Sequence, residues 1–282
     1  MPPSLGVAKA TEPAPDLGPG ECASRLDRLL AHWDSLDVTQ PSLRGRPDVT
    51  PARALTVWGL AAHAHAQARF IRKVGDAGAE VAPIVRTAYE CALSAQWIIT
   101  RGPKALPAFL NEGARQRLNL DKSMREAQWA GMTQNIVDQL EAERLPKGDL
   151  DDQAKQVHKI IYDFQVGPTL YAVYRVLSSF SHASIAVVDS YQQDDPSSPI
   201  GLALLRIGRP AGVGSWEWIL VWTLVWAGRA LDWITLDSPS RHFYKAIARE
   251  SGMPDAVLVL TQAAQAQAFA DKHQAHRRPK PR

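Results

Sequence analysis

An all-α bundle of about eight to ten helices is the fold this sequence predicts. Apolar residues recur at spacings of three and four, the period of a helix buried along one face, in segment after segment. Pro and Gly pairs such as Gly102-Pro103 and Gly167-Pro168 cut those segments apart. No internal repeat of fixed period and no strand-rich region competes with this pattern.

The elements follow in order. ECASRLDRLLAHWDSL (21–36) places Leu26, Leu29, Leu30 and Trp33 on one stripe. After a loop rich in Pro and Gly, an alanine-rich helix covers 52–75, with Thr50 as N-cap and Pro51 in its first turn. EVAPIVRTAYECALSAQWIITR (80–101) is a third, stopped by Gly102-Pro103. A more charged helix covers about 104–131, a short acidic one 133–144, and an amphipathic piece 152–165. A long helix is expected over 169–191, then a loop at YQQDDPSSP. IGLALLRIGRPAGVG reads as a short β-hairpin near 200–213 or as an extended excursion. Helices at 215–236 and 239–252 and a last one from Pro254 to about 271 close a single helical domain, 21–271. Residues 1–20 read as a disordered lead-in and 272–282 as a disordered basic tail.

Composition excludes several classes. With 45% hydrophobic and 22% charged residues the chain resembles a folded globular protein. Its most apolar run, WILVWTLVWAG (218–228), has 11 residues, against the roughly 20 a bilayer requires. A buried helix is therefore expected, not a membrane span, and the tryptophans at 218, 222 and 226 read as helix packing or a homodimer seam. The net charge of +3 rests on the last 11 residues, which carry five Lys/Arg and no acid. The body is slightly acidic, so a partner for RNA or an acidic protein is expected only at the tail, if the tail does more than solubilise. Cys22 and Cys91 lie far apart, which suits a reducing cytoplasm and no disulfide framework.

Chemistry concentrates in two helices. In YAVYRVLSSFSHAS (171–184), Arg175, Ser178, Ser179 and His182 fall at i, i+3, i+4 and i+7 of an otherwise apolar helix. Arg175 and His182 are then two turns apart, about 10 Å along the axis, with Arg175 leaning away from His182. A buried arginine needs a carboxylate. RTAYE supplies Glu90 one turn from Arg86 on another apolar helix. Arg86, Glu90, Arg175 and His182 are expected to meet in a buried polar cluster. It serves either as a structural network fixing helix register or as a ligand site.

R-T-A-Y-E followed later by Y-R-V-L-S-S-F-S-H resembles a bacterial group of helical proteins of unknown function, over residues 55–190. Arg175-x6-His182 also resembles the R-x(4–6)-H motif of HEPN-type ribonucleases, which are helical, usually dimeric and metal-independent. That resemblance implies a homodimer in which His182 acts as general base or acid for a ribose 2′-hydroxyl and Arg175 holds the scissile phosphate. Arg25 and His32 repeat the spacing on an ordinary amphipathic helix.

Other chemistries find no support. His63 and His65 are two residues apart, about 200° around a helix, and cannot chelate one metal from it. No Glu has His three residues on, as a di-iron bundle would want. No Walker loop or nucleophile elbow occurs, and the G-x-G at 212–214 lacks its third glycine. No metal or cofactor is expected. Two functions stay open: a non-catalytic scaffold or ligand-binding protein, and a HEPN-like endoribonuclease of defence or stress.

Overall fold

The computed structural model describes residues 19–36, 46, 48–75, 78–142, 144–209, 216–253 and 255–277. Most of the predicted lead-in, the glycines at 212–214 and the last five tail residues lie outside them. The fold is all-α: twelve helices among the described residues and one two-stranded sheet.

Helices α1 (Pro19–Ser35), α2 (Pro51–Val74), α3 (Ala82–Thr100) and α10 (Glu217–Ile234) form the heart of the molecule, α10 packing on the other three. Their small residues explain the close fit. Ala61, Ala64 and Ala68 of α2 and Ala88, Ala92 and Ala95 of α3 are fully buried, and so are Leu220, Leu224 and Ala227 of α10. Thr50 caps α2 as expected, its Oγ1 accepting from the Arg53 amide at 3.3 Å. Arg53 in turn donates to the carbonyls of Ile98 (2.5 Å) and Gly102 (3.2 Å), satisfying the C-terminal end of α3. Gln96, wholly buried on α3, donates to the Trp226 carbonyl and accepts from the Leu258 amide, tying three segments together.

The apolar run at 218–228 is inside α10, where Trp218, Trp222 and Trp226 meet edge to face at 5.6 and 5.7 Å. Among the described residues no helix is long and apolar enough to cross a membrane.

Several boundaries differ from the sequence reading. The charged helix, α4 (Ala105–Glu126), ends before Gln128 at φ 59° instead of running to about 131. The acidic helix follows as α5 (Gln134–Ala142). The piece at 152–165 is two short helices, α6 (Asp151–Ala154) and α7 (Val157–Tyr162). The long helix at 169–191 is broken into α8 (Gly167–Ser181) and α9 (Ile185–Ser190), because Ser184 takes an extended backbone and caps α9 through the Val187 amide. After α11 (Arg241–Glu250) the last helix, α12 (Gln262–Arg277), begins later than expected and runs six residues past the expected end into the basic tail.

The hairpin also begins earlier than expected. Strand β1 (Gln192–Asp194) pairs antiparallel with β2 (Leu202–Leu204), so part of the predicted loop YQQDDPSSP is a strand. Its turn is organised by Asp195, whose Oδ1 accepts from the amide and hydroxyl of Ser197, and by Gly201 at φ 72°. Polar Gln-Gln-Asp carries no alternation to announce a strand; the turn chemistry makes it one.

His65 shows what the core asks of a polar residue. It is buried on α2, stacks on Trp33 at 3.9 Å, and donates from Nδ1 to the Ala61 carbonyl at 2.7 Å. Its Nε2 has no partner among the described residues. Burial pushes the imidazole down to about 4, the Ala61 hydrogen bond opposing only in part. The unfolded chain then binds the proton first, so stability present above about pH 6.5 is lost as pH falls toward 4. Between pH 7 and pH 5 that contributes a loss of about 2 kcal/mol. His65→Phe keeps a ring for Trp33 and has nothing to protonate. Urea unfolding at both pH values should show a smaller acid loss in this variant than in wild type; an equal loss would remove His65 from the cause.

Candidate functional site

The predicted cluster forms in part, and at the surface. Arg86 and Glu90 sit on the edge of α3, about a fifth and a quarter exposed, with Nε donating to Oε1 at 2.8 Å. Across from them lies the end of α8. Tyr174 accepts from Arg86 NH2 at 3.0 Å, and the guanidinium carbon stands 5.1 Å from its ring centre. His182 is the residue that ends α8, with extended φ and ψ of −128° and 157°, and its Nε2 lies 2.8 Å from Arg86 NH1. Arginine has only donors, so Nε2 accepts and the imidazole proton is on Nδ1. Three nitrogens of one guanidinium thus hold a carboxylate, a phenol and an imidazole.

Arg175 is not part of this arrangement. It is exposed and makes no hydrogen bond or ion pair among the described residues. The neighbouring Tyr174 takes the place expected for it. The reason is geometric: one helical position is about 100°, so Tyr174 faces α3 while Arg175 turns to water. His182, too, is exposed, not buried. Ser178 and Ser179 are spent locally, donating to the carbonyls of Tyr174 and Val176 at 2.7 Å each. Ser184 donates to the Ser179 carbonyl and locks the turn after His182.

An aromatic row continues from Tyr174 toward α7. Tyr174 stacks near Tyr171 (6.1 Å), and Tyr171 meets Tyr162 (5.4 Å) and His158 (6.4 Å). Tyr162 and His158 are exposed.

The deeply buried charges lie elsewhere, and sequence reasoning misses them. Arg101, fully buried at the end of α3, donates from Nε to Asp163 at 3.1 Å and from NH2 to Gln267 at 2.6 Å. Asp163 also accepts from the Trp97 indole (2.8 Å) and Gln153 (3.3 Å). Arg229 and Asp232 pair inside α10, and Asp232 accepts from the Ser240 amide at the start of α11. Burial pushes the Asp232 carboxyl up and the Arg229 guanidinium down, each partly offset by the other. Their i, i+3 spacing is a signal in the sequence. Arg101 and Asp163 are 62 positions apart, and nothing local links them.

Cys91, beside Glu90, is a free thiol that burial pushes up to about 11, with the Glu90 charge adding to the effect. Among the described residues no group of three His, Cys, Asp or Glu could hold a metal ion. Comparison with protein families, curated proteins and solved structures finds no match for the chain.

Proposed function

We propose that this is a non-catalytic helical binding protein, in which Arg86, Glu90, Tyr174 and His182 form a clasp that docks the end of α8 on α3. The observation that carries the reading is the saturation of Arg86: Nε, NH1 and NH2 each already hold a partner from the same chain. His182 spends on Arg86 the Nε2 lone pair that a general base would need free. The clasp leaves Arg175 projecting from a fixed helix as a cation available to a ligand or partner.

The endoribonuclease reading is favoured by two other features. Arg175 and His182 are both exposed, and the row Tyr162, Tyr171, Tyr174 offers rings on which single-stranded bases could stack. That reading needs a homodimer, in which each site draws Arg175 and His182 from both chains. Both readings place the chain in the cytoplasm, in keeping with two unpaired cysteines.

One paired experiment separates them. Wild type, His182→Ala and Arg86→Met are matched by thermal melt and incubated with total RNA and EDTA. The clasp reading expects no cleavage by any of them. It also expects Arg86→Met to lose about 1–2 kcal/mol of stability, with a smaller loss for His182→Ala. Cleavage by wild type alone would overturn the clasp and establish a His-dependent nuclease. A dimer in sedimentation would be necessary to the nuclease and neutral to the clasp.

A further inference from the structure

Away from the Arg86 clasp, a cleft of about 250 Å³ lies between α4 and the segment leading from α5 into α6. Its walls are built. Asn111 of α4 grips the segment like a strand: its Oδ1 accepts from the Leu145 amide at 2.9 Å and its Nδ2 donates to the Leu145 carbonyl at 3.2 Å. Further along, Lys104 donates to Asp149 at 2.7 Å. Pro146 stiffens the stretch between these two anchors. Held so, the segment turns Arg144 and Lys147 to the cleft.

The charges do not cancel there. Arg115 is bound bidentately by Glu112, at 2.7 and 2.6 Å, and its guanidinium holds the Glu112 carboxyl below the usual range. Lys155 is bonded to Asp152 at 2.7 Å. Asp151, which also lines the cleft, accepts from Asn111 at 3.3 Å through Oδ2, while its Oδ1 has no hydrogen-bond partner among the described residues. The lining thus carries four cations against the two carboxylates of Glu112 and Asp151. Arg144 and Lys147 make no side-chain hydrogen bond or ion pair among the described residues. Arg144 and Lys147 therefore face one cleft with no carboxylate bonded to either, Lys147 acting on Asp152 only at a distance.

From this arrangement we propose that the cleft binds a small phosphate-bearing anion of the diphosphate type, Arg144 gripping one phosphoryl group and Lys147 the other. A guanidinium matches two phosphoryl oxygens side by side, and an ammonium serves as a point charge. The volume, just below the range of drug-sized or cofactor pockets, about 300 Å³ and upward, suits a diphosphate group. The site is independent of the Arg86 clasp.

Inorganic pyrophosphate is the probe. Calorimetric titration of the full chain should give saturable binding, weakened by about a hundredfold in Arg144→Ala/Lys147→Ala, since removing a charge-assisted hydrogen bond costs about tenfold and the variant removes two. Both side chains are exposed, so the double variant should melt with wild type. Lys245→Ala, at an exposed position of α11 outside the cleft, should bind as wild type does, and sulfate at equal ionic strength should bind far more weakly. Absent saturation in wild type, unchanged affinity in the double variant, loss of binding in Lys245→Ala, or sulfate binding equal to pyrophosphate would each overturn the assignment.

Discussion

Replacing Arg101 by methionine should destabilise the fold by about 3–5 kcal/mol, although methionine fills much of the same space. Arg101 is the charge that lets Asp163 and Asp271 stay inside: it bonds Asp163 at 3.1 Å and stands 3.9 Å from Asp271. Removing one partner from a buried ion network leaves the other charges in low dielectric with fewer donors, and this is the costly way to break it. Asp163 would keep Trp97 and Gln153, and Asp271 would keep Lys104 at 2.9 Å, which is why complete unfolding is not expected. Neutralising the residual carboxylate should help. Arg101→Met/Asp163→Asn should recover part of the loss, and a double-mutant cycle in urea would measure how much. Arg101→Lys should not rescue, because one ammonium cannot reproduce a guanidinium that bonds the end of α7 and α12 at once. The damage should be largest in α12, whose Gln267 and Asp271 Arg101 holds, and hydrogen exchange there would report it. A loss under 1 kcal/mol would mean that the network contributes little.

The contrast between Arg101 and Arg86 marks what can be read from the chain. Helical periodicity locates every major helix, because burial of one face is a local pattern. Arg86 and Glu90 are legible for the same reason: partners at i, i+4 announce themselves. Which arginine goes inside is not legible. The apolar surroundings of Arg175 suggest burial, yet the fold turns Tyr174 inward and leaves Arg175 in water. Arg101 sits at a helix end next to Gly102-Pro103, a place that reads as surface. It is buried because α7 and α12 close over it from 62 and 166 positions away. His182 reads as a mid-helix residue because the serines around it carry no apolar signal of their own. Only Ser184, taken as an N-cap, shows the break.

Two glycine substitutions on helices should move stability in opposite directions, and the larger effect is at Gly228. In a helix interior, Gly→Ala is worth about 1 kcal/mol of stabilisation through backbone entropy and propensity. Gly59, on α2, should return that gain, since a β-carbon there meets nothing within 4 Å. Gly228, on α10, has the same propensity to gain and no room to collect it. A β-carbon would stand 2.3 Å from both Cζ and Oη of Tyr244, which is itself only 1% exposed. The ring cannot simply swing away: it is held edge-on by His32 at 5.5 Å and by Phe243 at 5.3 Å. So α10 and α11 must separate, loosening the packing around the buried Arg229–Asp232 pair as well. Overpacking at a closed interface costs about 1–3 kcal/mol, and the added exposure of an ion pair puts Gly228→Ala at about 3 kcal/mol destabilised. Thermal melts of the two variants against wild type test this directly. Gly228→Ala/Tyr244→Phe, which removes the crowded hydroxyl, should recover part of the loss. A Gly228→Ala protein as stable as Gly59→Ala would mean that α11 is not packed on α10 as described.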